Sequence, residues 1–150
     1  MQTILEDIDT EKTIELLKEI MECELAGVVC YTHFALMVTG PNRIPIVTFL
    51  KSQATESLLH AQTVGEILTG LEGHPSLRIA PIEETHRHTV HDILSESLAH
   101  ERRALNLYKQ LLVTVADRSV YLEEFTRGMI GQEEMHCLEL KKMLRDFGQE

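Results

Sequence analysis

Apolar residues recur at three- and four-residue intervals along four long stretches of the chain, the spacing that lines one face of an α-helix. In the first stretch Ile14, Leu17, Met21, Val28, Tyr31 and Ala35 form such a stripe, with Glu24 at its centre. Asp9 or Thr10 can start this helix, and Thr39-Gly40-Pro41-Asn42 stops it. A second helix is expected from about Pro45 to Thr69, ending at Gly70. Leu50, Ala54, Ser57, Ala61, Val64 and Leu68 face inward along it, with His60, Ile67 and Leu71 on the shoulder. The third stripe reads Val90, Ile93, Ser97, His100, Ala104, Leu107 and Leu111. A short break at 116–118 leads to the fourth: Leu122, Phe125, Met129, Glu133, His136, Leu140, Met143 and Phe147.

The longest stretch without helical periodicity runs from Leu71 to roughly Glu84 and holds Gly73, Pro75 and Pro81. Short, long and short connections predict two antiparallel hairpins joined by one crossover between helices two and three. The expected fold is thus an all-α antiparallel four-helix bundle, a single domain over residues 1–150. Composition agrees: 43% of residues are hydrophobic, but only 5% are aromatic and none is Trp.

Charge and cysteine usage narrow the function. A net charge of -10 disfavours a nucleic-acid surface and favours cations or a basic partner. Cys23, Cys30 and Cys137 are an odd set without CxxC spacing. No secretory leader opens the chain, and no run of eighteen uninterrupted apolar residues suggests a membrane span. These features predict a cytoplasmic protein of a reducing compartment.

The polar residues inside the stripes carry the chemistry. Glu24 lies eighteen residues before Asn42 and His60 eighteen after it, so antiparallel helices carry both at one depth. Around Asp117, His100 lies seventeen before, Glu133 sixteen after and His136 nineteen after. Buried carboxylates and imidazoles must be hydrogen-bonded, neutralised or metal-bound. Glu133-Glu134-Met135-His136 supplies a Glu-x-x-His unit whose two ends can face one cation. The spacing predicts Glu24 and His60 on one metal, His100 and His136 on a second, and Glu133 bridging them. Carboxylate and imidazole ligands suit iron or manganese and can also hold zinc. A hydrogen-bonded polar core without metal is the competing reading.

These features together resemble the bacterioferritins, within the ferritin-like superfamily. The resemblance spans nearly the whole chain: Glu24 with Tyr31, His60-Ala61, Leu71-Glu72-Gly73-His74-Pro75 after the second helix, and Glu133-Glu134-Met135-His136. It implies a dinuclear iron site, Fe(II) and dioxygen as reactants, and a homo-oligomer, either a dimer through the first two helices or a larger cage. Glu24, Glu133 and Tyr31 would act in the oxidation, Tyr31 by hydrogen-bonding a ligand carboxylate.

The departures from the family are specific. Ungapped register places Ser57 and His100 where the family has glutamates, each beside a carboxylate, Glu56 and Glu101. One helical residue turns a side chain by about 100°, so either glutamate reaches inward only if its helix is rotated or carries a π-bulge. Leu58 stands at the family's haem-ligating methionine, which argues against haem. The chain ends at Glu150, where the family continues into a short fifth helix.

His86, His88 and His91, with His74 nearby, form a patch that could bind a surface metal or assist metal entrance, or be a solvated helix start. Cys23 and Cys137 adjoin Glu24 and His136 and could tune the site or simply pack. The expected function is iron binding with Fe(II) oxidation at an intra-bundle dinuclear site, and iron storage if a shell closes. The alternatives are a metal-holding or metal-delivery protein, or a metal-free helical interaction protein.

Overall fold

The computed structural model describes residues 4, 5 and 7–145. Four helices follow one another: α1 (Thr10–Met37), α2 (Arg43–Gly70), α3 (Val90–Val115) and α4 (Val120–Leu144). Among the described residues no strand occurs. Phe147, expected on the fourth stripe, lies outside the described residues.

Local chemistry sets the helix ends. The Asp9 carboxylate accepts from Lys12 N–H at 3.1 Å, Thr89 Oγ1 from Asp92 N–H at 3.0 Å, and Ser119 Oγ from Leu122 N–H at 3.2 Å. Each satisfies a first-turn donor that has no helical partner. Helix α2 starts at Arg43 rather than Pro45, because a proline in the first turn gives up no helical hydrogen bond. The Arg43 guanidinium then donates to the Ala35 and Val38 carbonyls at the end of α1.

The crossover is longer than expected, running to Thr89, where the cap of α3 begins. Its turn after α2 needs Gly73, since a Cβ there would lie 2.5 Å from Leu68 Cδ1. It then runs back along α1, where Ala80 N–H donates to the Glu22 carbonyl at 3.0 Å.

Helices α1 and α2 pack as one hairpin, α3 and α4 as the other, and α1 and α3 join them. Among the described residues no Cα of α2 comes within 8 Å of one in α4. On that side long polar side chains span the gap. One apolar cluster, around Leu17, Ile20, Leu68, Tyr108, Leu111 and Leu122, fills one part of the bundle. A second, around Tyr31, Phe34, Leu50 and Ile93, fills another. By length and composition α1 could cross a membrane, but half of its most apolar window is buried in the bundle, as in a core helix.

Candidate metal centre

Glu24, His60, Glu101 and Glu133 are buried within the bundle, and His136 is half-buried. Each of the four helices contributes at least one of them. Two clusters of ligand atoms result, Glu24 with His60 and Glu133, and Glu101 with Glu133 and His136, each with its atoms within 4.8 Å of one another. Glu133 belongs to both. Its Oε1 lies 3.7 Å from His60 Nδ1 and its Oε2 lies 3.7 Å from His136 Nδ1. Glu24 Oε2 lies 2.8 Å from His60 Nδ1, and Glu101 Oε2 lies 3.7 Å from His136 Nδ1.

These atoms face a common space rather than one another. Glu24 Oε2, Glu133 Oε2 and His136 Nδ1 are shielded from solvent and have no hydrogen-bond partner. Even the short Glu24–His60 approach lacks hydrogen-bond direction. Leaving such atoms unpaired costs about 1–3 kcal/mol each, which a cation at that point would offset. The outer edges of the imidazoles are already committed. His60 Nε2 donates to Gln132 Oε1 at 3.1 Å, and His136 Nε2 faces Glu56 Oε2 at 3.2 Å. A proton kept on Nε2 by these outer partners leaves Nδ1 as the atom each ring would offer a cation once its own proton is displaced, the arrangement typical of metal-ligating histidine.

The electrostatics describe the same centre with protons in it. Burial pushes the Glu24 carboxyl up, against the opposing pull of His60. Burial, with Glu101 and Glu24 close by, drives Glu133 up to about 9. Burial opposes charge on Glu101 too, but His136, Glu133 and the Tyr31 hydroxyl outweigh it and hold that carboxylate well below its usual range. Burial works against a charged His136, yet Glu101 and Glu133 raise it to about 10. Carboxylates at this density need positive charge, and without a metal they take it from protons.

Two of the expected ligands stand apart from these clusters. His100, expected with His136 on the second metal, is in neither cluster. Its ring packs edge-on to Tyr31 with centroids 5.7 Å apart. Its Nε2 comes so near Gly27 that a Cβ there would lie 2.6 Å from it. Burial holds its pKa down. Glu101 takes the inward place, and Tyr31 donates its hydroxyl proton to Glu101 Oε1. Position 101 lies inward because the buried face of α3 is wide enough to take in Leu94, Ser97, Leu98, Ala104 and Tyr108 as well as His100.

Glu56 is the second of them. It stands outside both clusters, one carboxylate oxygen 3.8 Å from His60 Nε2 and the other 3.2 Å from His136 Nε2. It lies behind both rings, at their Nε2 edges. Ser57 is buried near Gly27 and joins neither cluster.

Two residues had no assigned role in the sequence. Gln132 fixes His60. Tyr108 is buried, its pKa is raised by burial and then by Glu24 and Glu133, and its hydroxyl has no partner. It lies beside the expected third stripe, one position after Leu107, so periodicity does not single it out. Cys23 and Cys137 are buried, and burial together with Glu24 raises the Cys23 thiol to about 12, which suits packing rather than redox chemistry. A cavity of about 380 Å³ opens between α2 and α4, with Glu56, His60 and Gln132 in its lining. It lies where the two backbones stand apart.

The sequence profile of the ferritin-like domain matches residues 14–149. No curated protein matches the sequence. Among solved structures, a ferritin-like, diiron-carboxylate protein from Bacillus anthracis is 24% identical, with TM-score 0.86, covering 91% of this chain and 98% of its own. The bacterioferritin-related dodecameric thioferritin from Bacteroides fragilis is 21% identical, with TM-score 0.86, covering 97% and 92%. Rhodobacter capsulatus bacterioferritin is 24% identical, with TM-score 0.80, covering 89% and 84%. At these identities the structures establish likeness of fold.

Proposed function

We propose that this chain, which belongs to the ferritin-like domain family, binds iron at the centre of its bundle and oxidises Fe(II) there with dioxygen. The observation that carries the proposal is the set of shielded, unpaired ligand atoms on Glu24, Glu133 and His136, backed by imidazoles whose outer nitrogens are already engaged. Glu24, His60 and Glu133 would hold one ion, and Glu101, His136 and Glu133 the other. Such a mixture of carboxylate and imidazole suits iron, with manganese or zinc as competitors.

Iron is substrate in this reading, supplying electrons to dioxygen. The chain's own residues position and neutralise. Glu133 keeps the two ions together, Tyr31 steadies Glu101, and Glu56 and Gln132 hold the histidines in ligating orientation. Protons on Glu133 and His136 must leave as cations arrive. Glu24, Glu56, Glu101 and Glu133 together balance two divalent ions but leave an excess of positive charge once both are trivalent. That imbalance favours release of the product toward storage or transfer. The cavity beside Glu56 gives ions and water a way out.

Homo-oligomerisation is part of the proposal. Val29 and Leu36 on α1, with Ile44, Leu58 and Leu59 on α2, are large apolar residues left exposed on one hairpin. The Bacteroides fragilis relative is described as dodecameric. The proposal does not include haem, since Leu58 stands where the bacterioferritins carry their ligating methionine. Three unpaired cysteines fit a cytoplasmic setting. Stopped-flow mixing of the metal-free chain with Fe(II) in aerated buffer tests the reading. Rapid oxidation saturating near two Fe(II) per chain is expected. Tight binding with no oxidation above the buffer rate would instead make the protein a metal holder, a reading favoured by Ser57 adding no carboxylate.

A further inference from the structure

A second group of ligand atoms lies away from the bundle centre, where the crossover passes α1. His33 Nε2 of α1 is 2.9 Å from Glu84 Oε2, and His88 Nε2 is 3.5 Å from Glu84 Oε1. All three ligand atoms lie within 4.8 Å of one another. The imidazole centroids are 5.4 Å apart, with the rings steeply inclined at 65°. Both Nε2 atoms are shielded from solvent, and neither has a hydrogen-bond partner. An ordinary surface ion pair would point its N–H at the carboxylate. Here two nitrogens and a carboxylate border the same small space.

The crossover is built to hold Glu84 there. His86 N–H donates to Glu84 Oε1 at 2.7 Å, and His86 takes the left-handed backbone conformation with φ 59, which histidine adopts more readily than most side chains. Thr85 Oγ1 donates to Glu96 Oε1 of α3 at 2.6 Å, anchoring the same turn to the bundle. The backbone N–H of His86 keeps the Glu84 carboxyl below its ordinary range, ready as an anionic ligand. Of the histidine patch expected from the sequence, only His88 enters this group, and its imidazole partner, His33, comes from a distant helix.

We propose that His33, Glu84 and His88 form a second metal site for a divalent transition cation of the zinc or ferrous type, tying the crossover to α1. Two imidazoles and one carboxylate suit such cations and leave a position for water or a further ligand. Oxygen-seeking calcium or magnesium would not select two nitrogens. The site borders a cavity of about 780 Å³ whose lining includes His33, Glu84, Glu96 and His100. A bound cation would therefore stiffen one wall of that cavity. Nothing in this assignment depends on iron oxidation at the bundle centre.

Zinc is the probe of choice, being redox-silent. Crystals of the full chain, prepared metal-free and soaked with Zn(II), are measured across the zinc absorption edge. The expected result is an anomalous peak about 2.0–2.2 Å from His33 Nε2, His88 Nε2 and a Glu84 oxygen. That peak is lost in His33→Ala and in His88→Ala, while any peak among Glu24, Glu101 and Glu133 stays. In solution, calorimetric stoichiometry falls by one zinc per chain in each variant and is unchanged in His74→Ala. Absence of a crossover peak, whether or not the centre fills, overturns the proposal. So does a peak that survives both substitutions.

Discussion

His60, His100 and His136 all turn toward the bundle interior, and they sit in opposite environments. His100 is packed between Tyr31 and Gly27, with its pKa lowered by burial. His60 and His136 face carboxylates across the α2–α4 side, and both are raised despite their burial. Burial alone favours the neutral ring in all three. What differs is the company: clustered carboxylates that lack enough donors of their own. A buried histidine is read as a ligand from its carboxylate neighbours and from the partner of its other nitrogen, not from its place on an apolar stripe.

The most disruptive way to break this contrast is to remove the shared carboxylate. Glu133→Ala should abolish paired binding and slow Fe(II) oxidation by more than ~100-fold, beyond the usual range for outer-sphere changes, as read by stopped-flow. A histidine exchange sharpens it. His136→Ala should lower Fe(II) stoichiometry from two to one, whereas His100→Gln should leave it at two, both measured by anaerobic titration.

The pH dependence of the metal-free chain should come next in size. His136, raised to about 10 from an ordinary 6.5, contributes stability that is complete below 6.5 and is lost as pH climbs through 10. Glu133, raised to about 9 from 4.5, acts in the same direction, since the fold favours its protonated form. Glu101 is held down, so its contribution is complete above 4.5 and is lost only in acid. Metal-free thermal stability should therefore fall from pH 7 to pH 10, and saturating metal should flatten that slope. A metal-free melting temperature that stays level over this range would contradict the assignment of protons to the centre. The smallest effect concerns the niche of His100. Gly27→Ala would place a Cβ 2.6 Å from His100 Nε2 and 2.9 Å from Ser57 Oγ. It should cost about 1–3 kcal/mol of stability by overpacking, measured by denaturant unfolding, with metal stoichiometry retained.

The helices and their antiparallel pairing were legible because the stripes are long and the prolines sit in the connections. Equal distances from Asn42 placed Glu24 level with His60, and the structure brings these two together, whereas near-equal distances from Asp117 placed His100 level with Glu133 and His136, and it is Glu101 that the structure brings to them. On the third helix periodicity points to His100 and leaves Glu101 as the alternative, and it is Glu101 that joins the cluster. The buried face of that helix takes in both His100 and Glu101, and periodicity cannot say which of two adjacent inward positions meets the centre. Leu94, Leu98 and Tyr108 could have signalled the wider face. The role of Glu56 behind the histidines was hidden for a different reason, since it depends on the gap between α2 and α4. The pairing of His33 with Glu84 and His88 depends on the path of the crossover, which has no periodicity to read.

Anomalous diffraction from crystals soaked anaerobically in Fe(II) tests the central claim most directly. The account predicts two iron peaks about 3.5–4 Å apart, one beside Glu24 and His60, the other beside Glu101 and His136, with Glu133 between them and His100 touching neither. A centre that stays empty at saturating Fe(II), or a peak ligated by His100 in place of Glu101, would contradict it.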